Sequence, residues 1–189
     1  MEFVRDSEVL GDLKVLGVTP SPCDDDRVYL KMMDGKEVVR LHLGASDGVE
    51  PEAGARVIRV DRERLPDVID GIIHKLHLSQ VLLVPVGKWR HLFDAVAFSL
   101  ADNEDWQEVD TTATVELNTR DPLLCEPGDY HTVSAFLRAL LADASSPEQG
   151  VMLTTTAAPL LVEVVPDGAL RMSLGNQALA DEITEAIED

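Results

Sequence analysis

Residues 81–100 read VLLVPVGKWRHLFDAVAFSL, and their reading decides the fold. Val81–Val86 is an unbroken apolar run of strand length, the composition of a strand covered on both faces. Gly87 ends the run. Beyond it Trp89, Leu92, Phe93, Val96, Ala97 and Leu100 recur at helical spacing and make one apolar stripe. The stretch therefore predicts a central strand, a tight junction and an amphipathic helix.

Upstream, Leu65, Val68, Ile69, Ile72, Ile73 and Leu76 mark another amphipathic helix. Pro66, Asp67 and Asp70 suit its first turns, and His74, Lys75 and His77 its last. Arg56–Val60 reads as a short strand and 44–54 as a loop. A hairpin is predicted from Arg27 to Leu43, turning at Asp34-Gly35. In it Val39, Leu41 and Leu43 alternate with Arg40 and His42, which gives one wet face. Residues 8–18 read as an opening strand, followed by a loop holding Pro20, Pro22 and Asp24-Asp25-Asp26.

Downstream, residues 102–110 carry five acids and no base, the composition of a linker. Thr111–Thr119 alternates as a strand, and 120–129 reads as a loop. Asp129 is placed as the cap of a helix with Tyr130, Val133, Phe136, Leu137, Leu140 and Leu141. Strands are expected at about 150–156, 160–165 and 169–174, the last two joined at Pro166-Asp167-Gly168. Asn176 caps a final helix through Leu179, Ile183 and Ile187, whose acidic end opposes its own dipole and should fray.

These elements predict an α+β unit spanning 1–189, with four amphipathic helices on one or two mainly antiparallel sheets. Two similar lobes, 1–101 and 111–189, would be joined by 102–110. Each has a Glu-Pro loop (Glu50-Pro51 and Glu126-Pro127), but matched elements are not evenly offset, so ordinary α+β recurrence accounts for the likeness better than duplication.

The chain has 35 acidic and 16 basic residues, a net charge of −19. That surface repels phosphate backbones and disfavours nucleic acids and anionic membranes. With Cys23 and Cys125 far apart, no disulfide framework is legible; a reducing cytoplasm fits, and no leader or membrane-spanning run is evident. Between Arg56 and His91, however, seven Lys/Arg face four Asp/Glu, so that stretch is +3 and the remainder −22.

That local excess supplies the candidate site. Lys88, Arg90 and His91 gather at the start of a helix, where unpaired N–H groups already favour an anion. Arg56 and Arg59, with Arg62 or Arg64, are candidates to join them. Neither a P-loop nor a dinucleotide fingerprint is present. His74 and His77, three apart, form a weak candidate metal pair without a third ligand in sequence, and otherwise offset the helix dipole. Cys125 and His131 lack any cysteine-hydrolase motif, and Asp24–Asp26 lacks the ligand spacing of an EF-hand. Asp94 and Glu116 are single carboxylates with no partner in sequence. No cofactor is called for. The residues point to a non-enzymatic binding or regulatory module, partnered by another protein or by a second copy as a homodimer. The alternative is a protein, or a small-substrate enzyme, that takes a small anion or phosphate ligand at 87–91.

Overall fold

The computed structural model describes the chain apart from residues 23–26, 34, 36, 46–48, 114–118, 167 and 189. Its strands are β1 (Glu2–Phe3), β2 (Val18–Pro22), β3 (Val28–Met32), β4 (Val39–Gly44), β5 (Arg56–Arg59), β6 (Val81–Pro85), β7 (Leu123–Cys125), β8 (Val151–Thr154), β9 (Leu160–Val165) and β10 (Ala169–Leu174). Its helices are α1 (Asp6–Val15), α2 (Leu65–Lys75), α3 (Trp89–Val96), α4 (Glu104–Ala113), α5 (Tyr130–Asp143) and α6 (Gln177–Glu188). Eight strands form one sheet in the order β1-β7-β6-β8-β9-β10-β4-β5, while β2 and β3 pair with each other. The pairings are antiparallel except β4–β5. The architecture is α+β with two sheets, and six helices among the described residues rather than four. No described helix is long and apolar enough to cross a membrane.

All five residues of β6 are buried. Val81 and Leu83 belong to the larger core beneath the helices, and Leu82 and Val84 to a second core on the other face. The larger core is organised around Trp89, which is fully buried and meets Phe3 and Phe93 edge-on. Its indole N–H donates to the Asp121 carbonyl at 2.8 Å. Helices α2, α3, α5 and α6 cover this face, and α5 and α6 both pack on α2. The second core is closed by Leu13 of α1, Val18 of β2, and Leu30 and Met32 of β3. Strands from before and after 102–110 are intermixed in the large sheet, where β7 lies between β1 and β6, and β8–β10 lie between β6 and β4.

Several expectations are corrected. Residues 6–15 are helical, so the opening strand over 8–18 is displaced to Val18–Pro22. Asp6 and Glu8 lie in the first turn of α1 and Lys14 in its last, each favourable to the helix dipole. Pro20 and Pro22 fall inside β2 rather than in a loop. β2 pairs with β3 alone, and a proline nitrogen on the unpaired side of a strand leaves no ladder hydrogen bond unmade. The 27–43 hairpin does not form. β3 pairs with β2 and β4 lies between β10 and β5, because Leu30 and Met32 serve one core and Leu41 and Leu43 the other. Asp34 of the expected turn lies outside the described residues.

Residues 104–113 form α4 instead of a linker leading into a strand. Trp106 and Val109, three apart, are buried on one side, and the Asn103 carboxamide accepts from the Trp106 N–H at 2.8 Å. Trp106 stacks on Phe136 at 4.9 Å. Residues 114–118 of the expected strand lie outside the described residues. The 120–129 loop contains β7, paired with both β6 and β1. Asp129 accepts from the Glu126 N–H at 2.8 Å and makes no side-chain cap to α5. Asn176 does cap α6, accepting from the Leu179 N–H at 2.9 Å.

Arg62 ties the layers together. Its Nε–H donates to the Leu141 carbonyl at 2.7 Å, and its Nη2 to the same carbonyl and to that of Pro166 at 3.2 Å. The aliphatic stem lies on Gly168, where an added Cβ would come within 2.8 Å of Cδ and where φ is +87°. Arg62→Met leaves two carbonyls in buried residues unmet. The substitution is expected to cost about 2–4 kcal/mol, seen as a lower urea midpoint with an unchanged slope.

Candidate functional site

The junction after β6 is shaped by Gly87. A Cβ there would meet the Glu148 carbonyl oxygen at 2.6 Å and His91 Nδ1 at 2.8 Å, so only glycine lets the chain pass the 147–149 turn. The Gly87 carbonyl accepts from Arg120 Nε–H at 3.0 Å. Lys88 is extended (φ −107°, ψ 154°), and α3 starts at the next residue without a side-chain cap. In an extended segment neighbouring side chains diverge. Trp89 enters the helix-side core, and half-buried Lys88 lines a cavity on the other face.

That cavity has a volume of about 240 Å³. Leu10 and Leu13 of α1, Val28 and Leu30 of β3, and Val84 of β6 supply an apolar wall. Lys88 and Arg120 are the cations of the lining, with Asp6 as its carboxylate. Loss of water raises the Asp6 carboxyl above its ordinary range, repulsion from Asp121 adds to this, and Arg120 opposes both. The arrangement sets an apolar wall beside two half-buried cations, of which Arg120 is held by the Gly87 carbonyl.

The other cations of the basic segment go elsewhere. Arg90 is exposed. His91 turns toward Glu148, and its Nδ1 is buried without a hydrogen-bond partner among the described residues. Arg56 and Arg59 are exposed on β5, five strands from β6 in the sheet order, a distance of roughly 24 Å at the usual strand spacing. Arg64 is exposed and Arg62 is committed to main-chain carbonyls. Of the predicted set, only Lys88 reaches the cavity. Its partners Asp6 and Arg120 come from segments distant in sequence and carry no motif that announces them.

His77 occupies the left-handed position after α2 (φ 48°). The Leu78 N–H returns to the Ile73 carbonyl and the His77 N–H to that of His74, a Schellman closure. His74, His77 and His131 line one broad depression, but no group of three His, Cys, Asp or Glu among the described residues is placed to hold a metal. His131 pairs with Asp105 at 2.9 Å rather than with Cys125. Cys125 is fully buried, and burial first, then the charge of Asp129, pushes its thiol up to about 12. A thiol so placed is not a nucleophile at neutral pH. Asp24–Asp26 and Glu116 lie outside the described residues, and Asp94 is exposed.

A second group of charges lies on the same sheet face. Glu163, Arg171 and His42 are direct cross-strand neighbours on β9, β10 and β4. Their in-strand neighbours Val162, Met172 and Leu41 face the helices, so this row faces away from them. His42 is only 2% exposed, so the face expected to be wet is covered there. Its Nδ1 has no partner among the described residues. Burial, followed by repulsion from Arg171, lowers its basicity, while Glu52 and the Val49 backbone raise it. Glu163 is shifted upward, chiefly by burial, against the pull of Arg171.

No family model, curated protein or solved structure matches the chain.

Two measurements check these assignments. Alkylation at pH 8 followed by peptide mapping should leave Cys125 unlabelled in the native protein and label it in urea. The pH dependence of stability should show His42. A histidine held less basic than its ordinary 6.5 stabilises the fold fully above that pH and loses the contribution as pH falls below it. Glu163 acts with opposite sign above its ordinary 4.5, so the comparison must isolate His42. Wild type should lose up to about 1.4 kcal/mol per pH unit more than His42→Gln on acidification below 6.5, read from urea midpoints.

Proposed function

We propose that the chain is a non-enzymatic binding module. It takes a small, mainly apolar molecule bearing one anionic group in the Lys88 cavity. The carrying observation is the joining of an apolar wall to Lys88 and Arg120 in one enclosure of about 240 Å³. Burial of the apolar body supplies roughly 25 cal/mol per Å². Arg120 is held in place by the Gly87 carbonyl, so little ordering is left for the moment of binding. Asp6 bounds the head group to one that fits beside a carboxylate of weakened acidity. A dianion would meet it as a repulsive neighbour.

Self-association across the open β5 edge receives less support. Pairing β5 antiparallel with its own copy over its full length sets Arg56 opposite Arg59. Like charges directly opposed destabilise a sheet pair, and charged edges guard against such pairing.

Titration with hexanoate and hexanol, by calorimetry and thermal shift, tests the reading. Hexanoate at 100 times its dissociation constant should add about 2.7 kcal/mol, a rise in midpoint of roughly 5–11 °C for a chain of this length. Hexanol should bind more weakly. Lys88→Met should abolish the preference while leaving hexanol binding in place. Equal binding of the two by wild type, or no response to either, would overturn the assignment.

A further inference from the structure

The ribbon formed by β2 and β3 has a cavity on each flank, and Leu30 lines both. The first is the Lys88 cavity. The second, of about 190 Å³, lies between β3 and the face built by β8, β9, β10 and β4. Leu30, Met32, Met152 and Leu161 are apolar parts of its lining, as in any pocket beside a core. Its charges are unusual: Lys31, Arg40 and Arg171 on one side of the count, Glu52 and Glu163 on the other.

Glu163 and Arg171 are mostly buried, at 15% and 29% side-chain exposure, and meet in one contact of 3.5 Å. A charge-assisted hydrogen bond is normally about 2.7–2.9 Å. Arg171 Nε is also buried and has no hydrogen-bond partner among the described residues. Removing both charges from water is costly, and one long contact offsets little of that. Glu163 and Arg171 each keep hydrogen-bonding capacity beyond that one contact.

A lone anion in this cavity would lie against two carboxylates, and a lone cation against three positive side chains. A molecule bearing both signs a few ångströms apart satisfies both sets. The Arg171 guanidinium carries further N–H donors beyond the one that meets Glu163, and these suit a carboxylate. The volume is below the roughly 300–1,000 Å³ of drug-sized pockets, which limits the ligand to a few heavy atoms.

We propose that this cavity binds a small zwitterion, a free α-amino acid with a short side chain. Arg171 takes its carboxylate, Glu163 takes its ammonium group, and the side chain lies toward Met152 and Leu161. The site is independent of the Lys88 cavity, and neither reading requires the other.

The experiment compares alanine, propionate and ethylammonium by calorimetric titration at pH 7, with valine and serine as further zwitterions. Alanine is expected to bind saturably and each singly charged analogue at least tenfold more weakly. Glu163→Gln should weaken alanine at least tenfold and leave propionate unchanged or tighter. Arg171→Gln should weaken alanine by a similar factor. If that variant fails to fold, Arg171→Lys, which keeps the charge and removes the paired donors, is expected to give the same loss. Lys88→Met should leave alanine binding intact, which separates this site from the other. Absence of saturable binding by alanine, valine and serine at millimolar concentration overturns the proposal. Propionate binding as tightly as alanine, or alanine binding that survives Glu163→Gln, also overturns it.

Discussion

The double burial of β6 constrains everything around it. Five consecutive residues must be apolar because alternate side chains enter two different cores. The chain therefore leaves the sheet between two filled layers. Gly87 is needed to clear the Glu148 carbonyl, and the extended Lys88 sends consecutive side chains to opposite faces. Trp89 is drawn into the larger core, where it gathers Phe3, Phe93 and Phe136. The partner of that move is a lysine delivered to the opposite face, beneath α1 and the β2–β3 ribbon. A cation beside an apolar cavity is thus a geometric consequence of how the central strand is covered.

The elements legible in the sequence are those whose burial is broad. The helices α2, α3, α5 and α6 each bury several residues at helical spacing, and their apolar stripes stand out without any knowledge of the fold. α1 and α4 do not. α1 fully buries only Leu13 and contains Gly11, so its β-branched valines outweigh its period in a local reading. α4 rests on Trp106 and Val109 amid acids, and its stabilisation comes from Trp106 stacking on Phe136, a contact between remote segments. The 27–43 segment fails differently. Its strands exist, but which sheet each joins depends on which core its apolar residues fill. A turn signal carries no information about that.

The sites divide along the same line. Lys88 is legible because a lysine at a helix start is electrostatically odd. Arg120 and Asp6 are ordinary in their local context and acquire meaning only when the fold sets them around one cavity. The row of Glu163, Arg171 and His42 is partly legible: Arg171 and His42 alternate with apolar neighbours, which in an isolated strand reads as a wet face, while Glu163 interrupts a continuous apolar run. Covering that face turns an unremarkable pattern into buried charge. The reversal comes from β3 crossing β9 and β10, a tertiary event.

Charge allocation ties the two cavities together. With 35 acids and 16 bases, the fold spends several of its scarce cations inward: Arg62 on two carbonyls, Arg120 on the Gly87 carbonyl, Arg171 on Glu163. The exterior keeps the acids. Arg56, Arg59, Arg64 and Arg90 remain on the surface among the acids, so positive potential is local, falling off within about 8 Å at physiological salt, while the acidic surface dominates at longer range. A polyanion is repelled before it reaches either pocket. In the proposed readings a small molecule with one negative charge, or one of each sign, is repelled less on approach and meets half-buried cations at the cavity. A net charge of −19 disfavours polyanions at the surface, and under the proposed readings it favours small ligands over large ones.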